Sequence, residues 1–447
     1  MTRQLHLNAF IYPTGHHEAA WRHPHSQPER IYSPDYFQEI ARTAEAAKFD
    51  AVFFADRPAL DAHIKYNAAG RLEPLLLLTT IAAATERIGL IATASTTYHQ
   101  PYNLARLFST LDFVSRGRAG WNIVTTASSA AAENFGLPAH PEPSIRYERA
   151  QEFVDAALRL WDSWEDEAVV ADRATGIYAD VAKIHRADFD GTHIQVRGAF
   201  NAPRSPQGHP VLVQAGASDS GRAFASRNAE AIFTAHQTID NARAFYRDIK
   251  SRAAAAGRNP DHLKILPGLS PFIGDTVAEA RELEADFNRL TVPEYGLYQL
   301  KALAGVDLYD VPLDAAAPLS AFGNAGDVTE NEVSRRQVIA GIVEREQPTV
   351  RTLLHRLAGA RGHRVFVGTP TEVADTITEW FTTGAADGFN IMPPSYPTGL
   401  EVFVQKVVPI LVDRGIFRSE YTGRTLRDHL GLPRPVSRFA NAVAVSG

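Results

Sequence analysis

Polar side chains end three apolar, strand-like segments of the sequence. Asp56 ends the segment DAVFFAD, Thr93 and Ser95 lie in IGLIATASTT, and the segment PVLVQAGAS ends at Ser218. A barrel strand that delivers binding groups to the barrel mouth has this form, a short apolar run that stops at an acid or a hydroxyl. These residues therefore predict a ligand site at the C-terminal ends of parallel strands, although Asp56 alone also fits a turn or a helix cap.

The segment GASDSGR, residues 216–222, has the features of an anion site. Gly216 allows the backbone to approach a ligand closely, and Ser218 stands at the N-cap of a predicted helix whose first N–H groups are free. Arg222 lies one turn into that helix and could add positive charge. The pattern predicts a phosphate site, and an ordinary capped helix is the alternative.

The loop after the first strand, GHHEAAWRHPHSQPER, concentrates positive and aromatic residues in a chain that is net acidic. Cationic groups beside an aromatic wall suit an anionic substrate, and we expect His17, Trp21 and Arg22 to contact it. The alternative for Arg22 is a structural role, either as a partner of Glu18 or as a cap of the loop.

The histidines of this loop raise the alternative of a metal site, because imidazole is a common metal ligand. However, Pro24 stiffens the spacing between His23 and His25, and no Asp or Glu with a companion His stands at a matching strand end. The sequence therefore predicts no metal site.

Eight strand-like segments alternate with helix-like segments along the chain. Most are continuous apolar runs, which are typical of parallel strands covered on both faces. The candidates are residues 4–12, 50–56, 88–95, 119–126, 210–216, 230–236, 263–273 and 388–393. This alternation predicts an α/β fold, a single (β/α)8 TIM barrel domain over residues 1–447. We expect a hairpin excursion at about 165–209 and a lid insertion at about 290–365, because structureless loops of that length are rare in compact domains.

Composition excludes several functional classes. The 447 residues include no cysteine, which rules out disulfides, thiolate metal sites and a cysteine nucleophile. A formal net charge of −6 offers no global basic surface to nucleic acid. No apolar run approaches the roughly 20 residues of a membrane span, and the N-terminus does not read as a signal peptide, so we expect a cytoplasmic enzyme without membrane association. The G-x-S-x-G and G-x-G-x-x-G motifs are absent, which disfavours acyl transfer and an integral dinucleotide fold.

Five long segments together resemble one enzyme family. They are similar to the nitrilotriacetate, EDTA and dibenzothiophene-sulfone monooxygenases of the bacterial luciferase-like superfamily. The similarity extends from GHHEAAWRHP to TLRDHLGLPRP, nearly the whole chain. The segments are TASTTYHQPYNLAR at 93–106, SRGRAGWNIVTTAS at 115–128, RYERAQEFVDAALRLWDSWEDEAVV at 146–170, HIQVRGAFNAPRSPQGHPVLVQAGASDSGRAFA at 193–225 and HRVFVGTPTEVADTITEWF at 363–381.

The resemblance implies a two-component flavoprotein monooxygenase. It implies reduced FMN at the barrel mouth, delivered by a separate NAD(P)H:FMN reductase and used with O2 to oxygenate a small organic substrate. Position by position, it implies flavin-ring contacts for Asp56 and for Thr93 or Ser95, and phosphate contacts for Tyr147 and Ser218. The resemblance also implies that Asn122 is a polar contact on the inner wall of the barrel.

One position departs from the family pattern. Pro143 stands where the family usually has a histidine, four residues before Tyr147, which puts one FMN contact in doubt.

We expect a homodimer or a homotetramer. Three alternatives stay open: a deazaflavin-dependent oxidoreductase of the same superfamily, a metal-dependent barrel hydrolase, and a non-catalytic flavin-binding protein.

Overall fold

Eight parallel strands form a closed barrel in this computed structural model. The structure describes residues 3–440 except 61, 69, 127–129, 217 and 324–329. Within these ranges the strands are β1 His6–Ile11, β2 Ala51–Phe54, β3 Gly89–Ser95, β4 Ala119–Val124, β5 Val169–Asp172, β6 Ile177–Ala179, β7 Phe189–Asp190, β8 Gln195–Val196, β9 Val211–Gln214, β10 Ala231–Thr234, β11 Lys264–Ile273, β12 Arg364–Gly368 and β13 Gly388–Ile391.

Helices separate the barrel strands and cover the outside of the barrel. They are α1 Pro34–Ala46, α2 Pro74–Ala84, α3 Pro101–Val114, α4 Ala130–Asn134, α5 Pro143–Trp161, α6 Asp219–Asn228, α7 Ile239–Ala255, α8 Val277–Arg289, α9 Pro293–Ala304, α10 Glu330–Glu346, α11 Val350–Ala358, α12 Pro370–Thr382, α13 Thr398–Lys406, α14 Val408–Asp413 and α15 Leu426–Leu430. No helix in the described part of the chain is long and apolar enough to cross a membrane.

The barrel closes through the order β1-β2-β3-β4-β9-β10-β11-β13, with β13 pairing back to β1. All of these pairings are parallel, so the C-terminal ends of the eight strands meet at one rim. The eight strands coincide with the eight predicted segments, and the (β/α)8 prediction is confirmed.

Strand β12 was not predicted. It pairs in parallel with residues 269–273 of β11, the half of that ten-residue strand nearer the rim. The extra length of β11 is what gives β12 its hydrogen-bonding partner.

The barrel interior is a packed core. Phe10 of β1 stacks on Phe53 of β2 with ring centroids 4.6 Å apart, and Phe233 of β10 meets both rings edge-on. At the opposite end of the barrel from the rim, Leu426 of α15 packs against the backbone of β3 and β4. Leu426 occupies the space that a side chain on Gly89 would need. Because the interior is filled, a ligand can enter only at the rim.

Two segments depart from simple strand–helix alternation. Residues 165–209 contain two antiparallel pairs, β5 with β6 and β7 with β8. The segment from α9 to α11 has an apolar cluster of its own, in which Leu300, Ile339 and Leu353 are fully buried. These helices therefore form a small packed unit beside the barrel.

Candidate functional site

A cavity of about 700 Å³ lies at the C-terminal ends of the barrel strands. Loops after β1, β2, β4 and β9 contribute to its wall, together with α5, α6, α9 and the turn after α11. Its lining residues are Tyr12, residues 55–59, Asn67, Arg71, residues 123–126, Ala130, Tyr147, Gln214, Ala215, Phe224, Tyr298, Gln299, Ala302, Leu303 and Arg361. Two of the predicted site residues, Asp56 and Tyr147, therefore line this cavity.

The N-terminus of α6 forms one side of the site. Ser218 is the N-cap, and its hydroxyl accepts a hydrogen bond from the N–H of Gly221 at 3.1 Å. A Cβ atom on Gly221 would lie 3.1 Å from the Ser218 hydroxyl and 3.2 Å from the Tyr147 hydroxyl. The two hydroxyls thus converge on the first turn of a helix, where the helix dipole favours an anion.

Arg222 does not add its charge to this helix terminus. Its guanidinium donates to Asp248 of α7 at 2.9 Å and also faces Asp219. The phosphate contact of Arg222 stays a prediction, and its pairing with a carboxylate of a neighbouring helix favours the alternative of an ordinary capped helix.

The amide side chains of Asn122 on β4 and Gln214 on β9 are both buried near the C-terminal ends of their strands. Asn122 donates to the hydroxyl of Thr93 at 2.9 Å, and both side chains are buried. The amide oxygens of Asn122 and Gln214 have no hydrogen-bond partner among the described residues. An unpartnered buried carbonyl is costly, and Gln214 lines the cavity, so its amide oxygen is suited to a ligand that brings an N–H or O–H donor.

Ser95 lies close to the cavity wall but is not part of it. Its hydroxyl accepts from the Thr126 hydroxyl at 2.6 Å and from the N–H of Thr97 at 3.1 Å. Thr126 is itself a wall residue. Ser95 therefore holds the wall residue Thr126 in place from behind.

Asp56 follows β2 and is half-buried in the wall. Its carboxylate accepts from the N–H of Arg57 at 2.8 Å. Burial raises the pKa of Asp56 above its ordinary value, and the Arg57 hydrogen bond and the charge of Arg71 only partly oppose this. The site thus presents a carboxyl group that takes up a proton more readily than an exposed aspartate.

His140 contacts the backbone of the cavity-wall residue Thr126 and is not predicted from the sequence. Its Nε2–H donates to the Thr126 carbonyl at 2.8 Å, and its Nδ1 accepts from the Tyr98 hydroxyl at 2.8 Å. Pro143, the position of the missing family histidine, is the first residue of α5. An imidazole is thus bonded to the cavity wall from a position seven residues before Tyr147 rather than four.

The three expected substrate residues of the first loop do not line the cavity. His17 is buried against Phe287 and meets Asn288 at 3.3 Å, and burial lowers its pKa to about 3, so it is neutral. Trp21 donates to a backbone carbonyl at 3.0 Å, and Arg22 donates to the carbonyl of Leu290. Their polar groups are engaged within the protein, which favours the structural role for Arg22.

The positive charge of the cavity comes from other segments. Arg57, Arg71 and Arg361 all line it, from two loops that are separated by almost three hundred residues of sequence. No motif or local charge cluster marks these arginines, so sequence reasoning missed them. Among residues whose positions are described, no group of three or more histidines and carboxylates is placed to hold a metal ion.

The residues of the site fit FMN. The phosphate of FMN suits the α6 N-terminus with its two hydroxyls, and the ring and ribityl chain carry donors for the unpartnered amide oxygen of Gln214. The fold and the cavity together are those of a (β/α)8 barrel with a ligand cavity at the C-terminal ends of its strands.

Comparison with known proteins identifies the family. The family model described as luciferase-like monooxygenase matches residues 10–387. The chain belongs to this family, as the sequence resemblance predicted.

Relatives with assigned activities align over nearly the whole chain. The N-acetyl-S-(2-succino)cysteine monooxygenase of Bacillus subtilis is 45% identical over 439 residues, covering 98% of this chain and 99% of the relative. Nitrilotriacetate monooxygenase component A of Aminobacter aminovorans is 44% identical and covers 98% of both chains. Among solved structures, a riboflavin lyase crystallised with modified FMN and riboflavin is 33% identical with a TM-score of 0.86, covering 98% of each chain.

Proposed function

We propose that this chain is the oxygenase component of a two-component monooxygenase that uses reduced FMN and O2 to oxygenate a small organic substrate. The observation that carries the proposal is the convergence of the Ser218 and Tyr147 hydroxyls on the first turn of α6, beside a rim cavity that Tyr147 and the unpartnered amide oxygen of Gln214 line. When bound, reduced FMN supplies two electrons, so that one oxygen atom enters the substrate and the other leaves as water.

The residues of the chain bind and orient the cofactor. Ser218 and Tyr147 hold the phosphate with the N–H groups of α6, and the amide oxygens of Asn122 and Gln214 accept from the flavin. Thr93 fixes the Asn122 amide through its hydrogen bond, and Ser95 fixes Thr126. Asp56, which lines the cavity, contacts the ring region. In this arrangement the protein contributes position and a dry environment, and the flavin contributes the redox chemistry.

The segment at about 290–365 acts as a lid that excludes water during the reaction. Three observations support this role. Side chains of α9, including Tyr298 and Leu303, line the cavity. The Tyr298 ring stacks on His63 of the loop after β2 at 3.8 Å, and Asn67 of the same loop donates to Tyr295. The lid helices are packed on their own apolar cluster, so they can move as a unit.

A separate NAD(P)H:FMN reductase supplies the reduced flavin, and the name "component A" of the nitrilotriacetate relative agrees with such a division. The monooxygenase names of relatives at 44–45% identity favour this function over deazaflavin-dependent hydride transfer. A homodimer or homotetramer and a cytoplasmic location remain predictions from the sequence.

The proposed function is tested by reconstitution with an unrelated NADH:FMN reductase. The purified chain, NADH, FMN and isotopically labelled O2 are mixed with nitrilotriacetate or N-acetyl-S-(2-succino)cysteine, the compounds named for two relatives. For a compound that is turned over, the product is expected to contain one labelled oxygen atom. If the hydroxylated product breaks down, the fragments of that breakdown are expected instead. A reduced deazaflavin in place of FMN is expected to give no product. Failure of the wild-type chain to bind reduced FMN in an anaerobic titration would contradict the proposal.

A further inference from the structure

We propose that the cavity wall around Tyr12 is a carboxylate-binding site, in which Arg71 and Arg361 bind an acid group of the substrate. The inference rests on the proposed function in one respect, because it places the substrate in the same cavity as the flavin. It assigns the substrate to the class of small organic acids.

Two guanidinium groups lie against one tyrosine ring in this wall. Tyr12 directly follows β1, and the guanidinium carbon of Arg71 is 4.4 Å from its ring centroid. The corresponding distance for Arg361, which comes from the turn after α11, is 4.8 Å. Rings of Phe10 and His16 pack on Tyr12 with centroids 5.5 and 4.7 Å away, which fixes the orientation of the phenol. The wall is thus built from three distant parts of the chain around a rigid centre.

The arginines are not neutralised by nearby carboxylates. In the described part of the chain, neither Arg71 nor Arg361 has a carboxylate oxygen within 4 Å. The acids that face them are Asp56 and Glu18. Burial raises the pKa of both, and that of Glu18 reaches about 7 although Arg361 opposes the shift.

A further charged group beside Tyr12 is also positive. Arg335 approaches the phenol while donating to the Arg361 carbonyl at 2.9 Å. His16 adds no compensating charge, because burial lowers its pKa to about 3 and leaves it neutral. The wall therefore carries an excess of positive charge in a partly buried site, which is the electrostatic requirement for binding an anion.

The Tyr12 phenol reports this field. Burial alone would raise its pKa, but the charges of Arg71 and Arg361, a hydrogen bond from Arg71 and the charge of Arg57 outweigh burial and lower the pKa to about 8. The same guanidinium groups offer paired N–H donors that match the geometry of a carboxylate. A bound carboxylate would place its negative charge beside Tyr12. It would raise the pKa of the phenol, because ionisation of Tyr12 would then put two negative charges side by side.

The test uses succinate as the probe and the full chain without flavin. Succinate affinity is measured by calorimetry for wild type, Arg71→Met and Arg361→Met, and each variant is expected to bind roughly tenfold or more weakly. Arg71→Lys, which keeps the charge but loses the planar donor pair, is expected to lose less. The matched control is Arg243→Met on α7, because Arg243 pairs with Asp240 at 3.7 Å and lies outside the cavity wall.

A second measurement follows the ionisation of Tyr12 itself, and without succinate it reports the charge of the cavity wall independently of any ligand. The ultraviolet absorbance of phenolate is titrated against pH in wild type and Tyr12→Phe, and the difference isolates Tyr12. Its midpoint is expected near 8 and is expected to rise when succinate is added.

Two results would overturn the inference. One is succinate binding that is absent from wild type or unchanged in both methionine variants. The other is a loss of reduced-FMN affinity in these variants with no change for succinate, which would assign the arginines to the flavin. Failure of the proposed function is a separate outcome, since wild type would then fail to bind reduced FMN while the succinate and Tyr12 titrations remain readable.

Discussion

The double variant Ser218→Ala, Tyr147→Phe is expected to bind reduced FMN about 100-fold or more weakly than wild type. Each substitution removes a hydroxyl that converges on the first turn of α6. A hydrogen bond to a charged group contributes about 1.5–3 kcal/mol, so the loss of two corresponds to roughly 3 kcal/mol or more. Anaerobic fluorescence titration with reduced FMN measures the change directly.

The control for this experiment is a helix cap with no role in the cavity. Thr238 caps α7 by accepting from the N–H of Asn241 at 3.4 Å, and it does not line the cavity. Thr238→Ala is expected to cost about 1 kcal/mol of folding stability and to leave FMN affinity unchanged. An unchanged affinity in a folded double variant would show that the phosphate binds elsewhere.

Arg418→Ala is expected to lower the free energy of unfolding by about 3–5 kcal/mol, because it leaves a buried carboxylate without its cationic partner. Asp50, which directly precedes β2, has a fully buried side chain and meets Arg418 at 2.5 Å and His6 at 3.0 Å. It also accepts from the N–H of Leu7 at 2.7 Å. Urea unfolding of the two proteins at neutral pH measures the difference.

The pH dependence of this effect has a defined sign. Burial would raise the pKa of Asp50, but the charges of Arg418 and His6 and their hydrogen bonds outweigh it and lower the pKa to about 2. A depressed carboxyl pKa contributes stability that is complete above the unfolded value of about 3.9 and is lost as the pH falls through about 2. The stability gap between wild type and Arg418→Ala is therefore expected to narrow in that acidic range.

An exposed ion pair provides the matched control. Arg414 meets Asp375 at 2.5 Å, and the Asp375 side chain is 61% exposed. Arg414→Ala is expected to change the unfolding free energy by about 1 kcal/mol or less. Equal effects of the two substitutions would mean that the buried network does not stabilise the barrel.

The barrel was predictable because each of its strands is a continuous apolar run between amphipathic helices. Such runs are typical of buried parallel strands, and their short length and their alternation with helix-like segments locate all eight. Strand β12 was missed because its pairing depends on the extra length of β11 beyond the barrel, a property of the folded sheet rather than of its own residues.

The cavity was predictable only in part. Asp56, Ser218 and Asn122 stand at or near strand ends, so the barrel topology brings them to one rim. The direction of a side chain does not follow from its position along the chain. Local charge predicts that Trp21 and Arg22 contact a substrate, but in the structure both donate to backbone carbonyls. Arg71 and Arg361 illustrate the opposite case, since they meet around Tyr12 only because the chain returns to the rim between them.

The central claim, that FMN binds with its phosphate at the α6 N-terminus, is tested most directly by comparing reduced FMN with reduced riboflavin. The two molecules differ only in the phosphate. Wild type is expected to bind reduced FMN at least about tenfold more tightly than reduced riboflavin, and this preference is expected to disappear in the Ser218→Ala, Tyr147→Phe variant. Equal affinities in wild type, or an undiminished preference in the folded variant, would contradict the account.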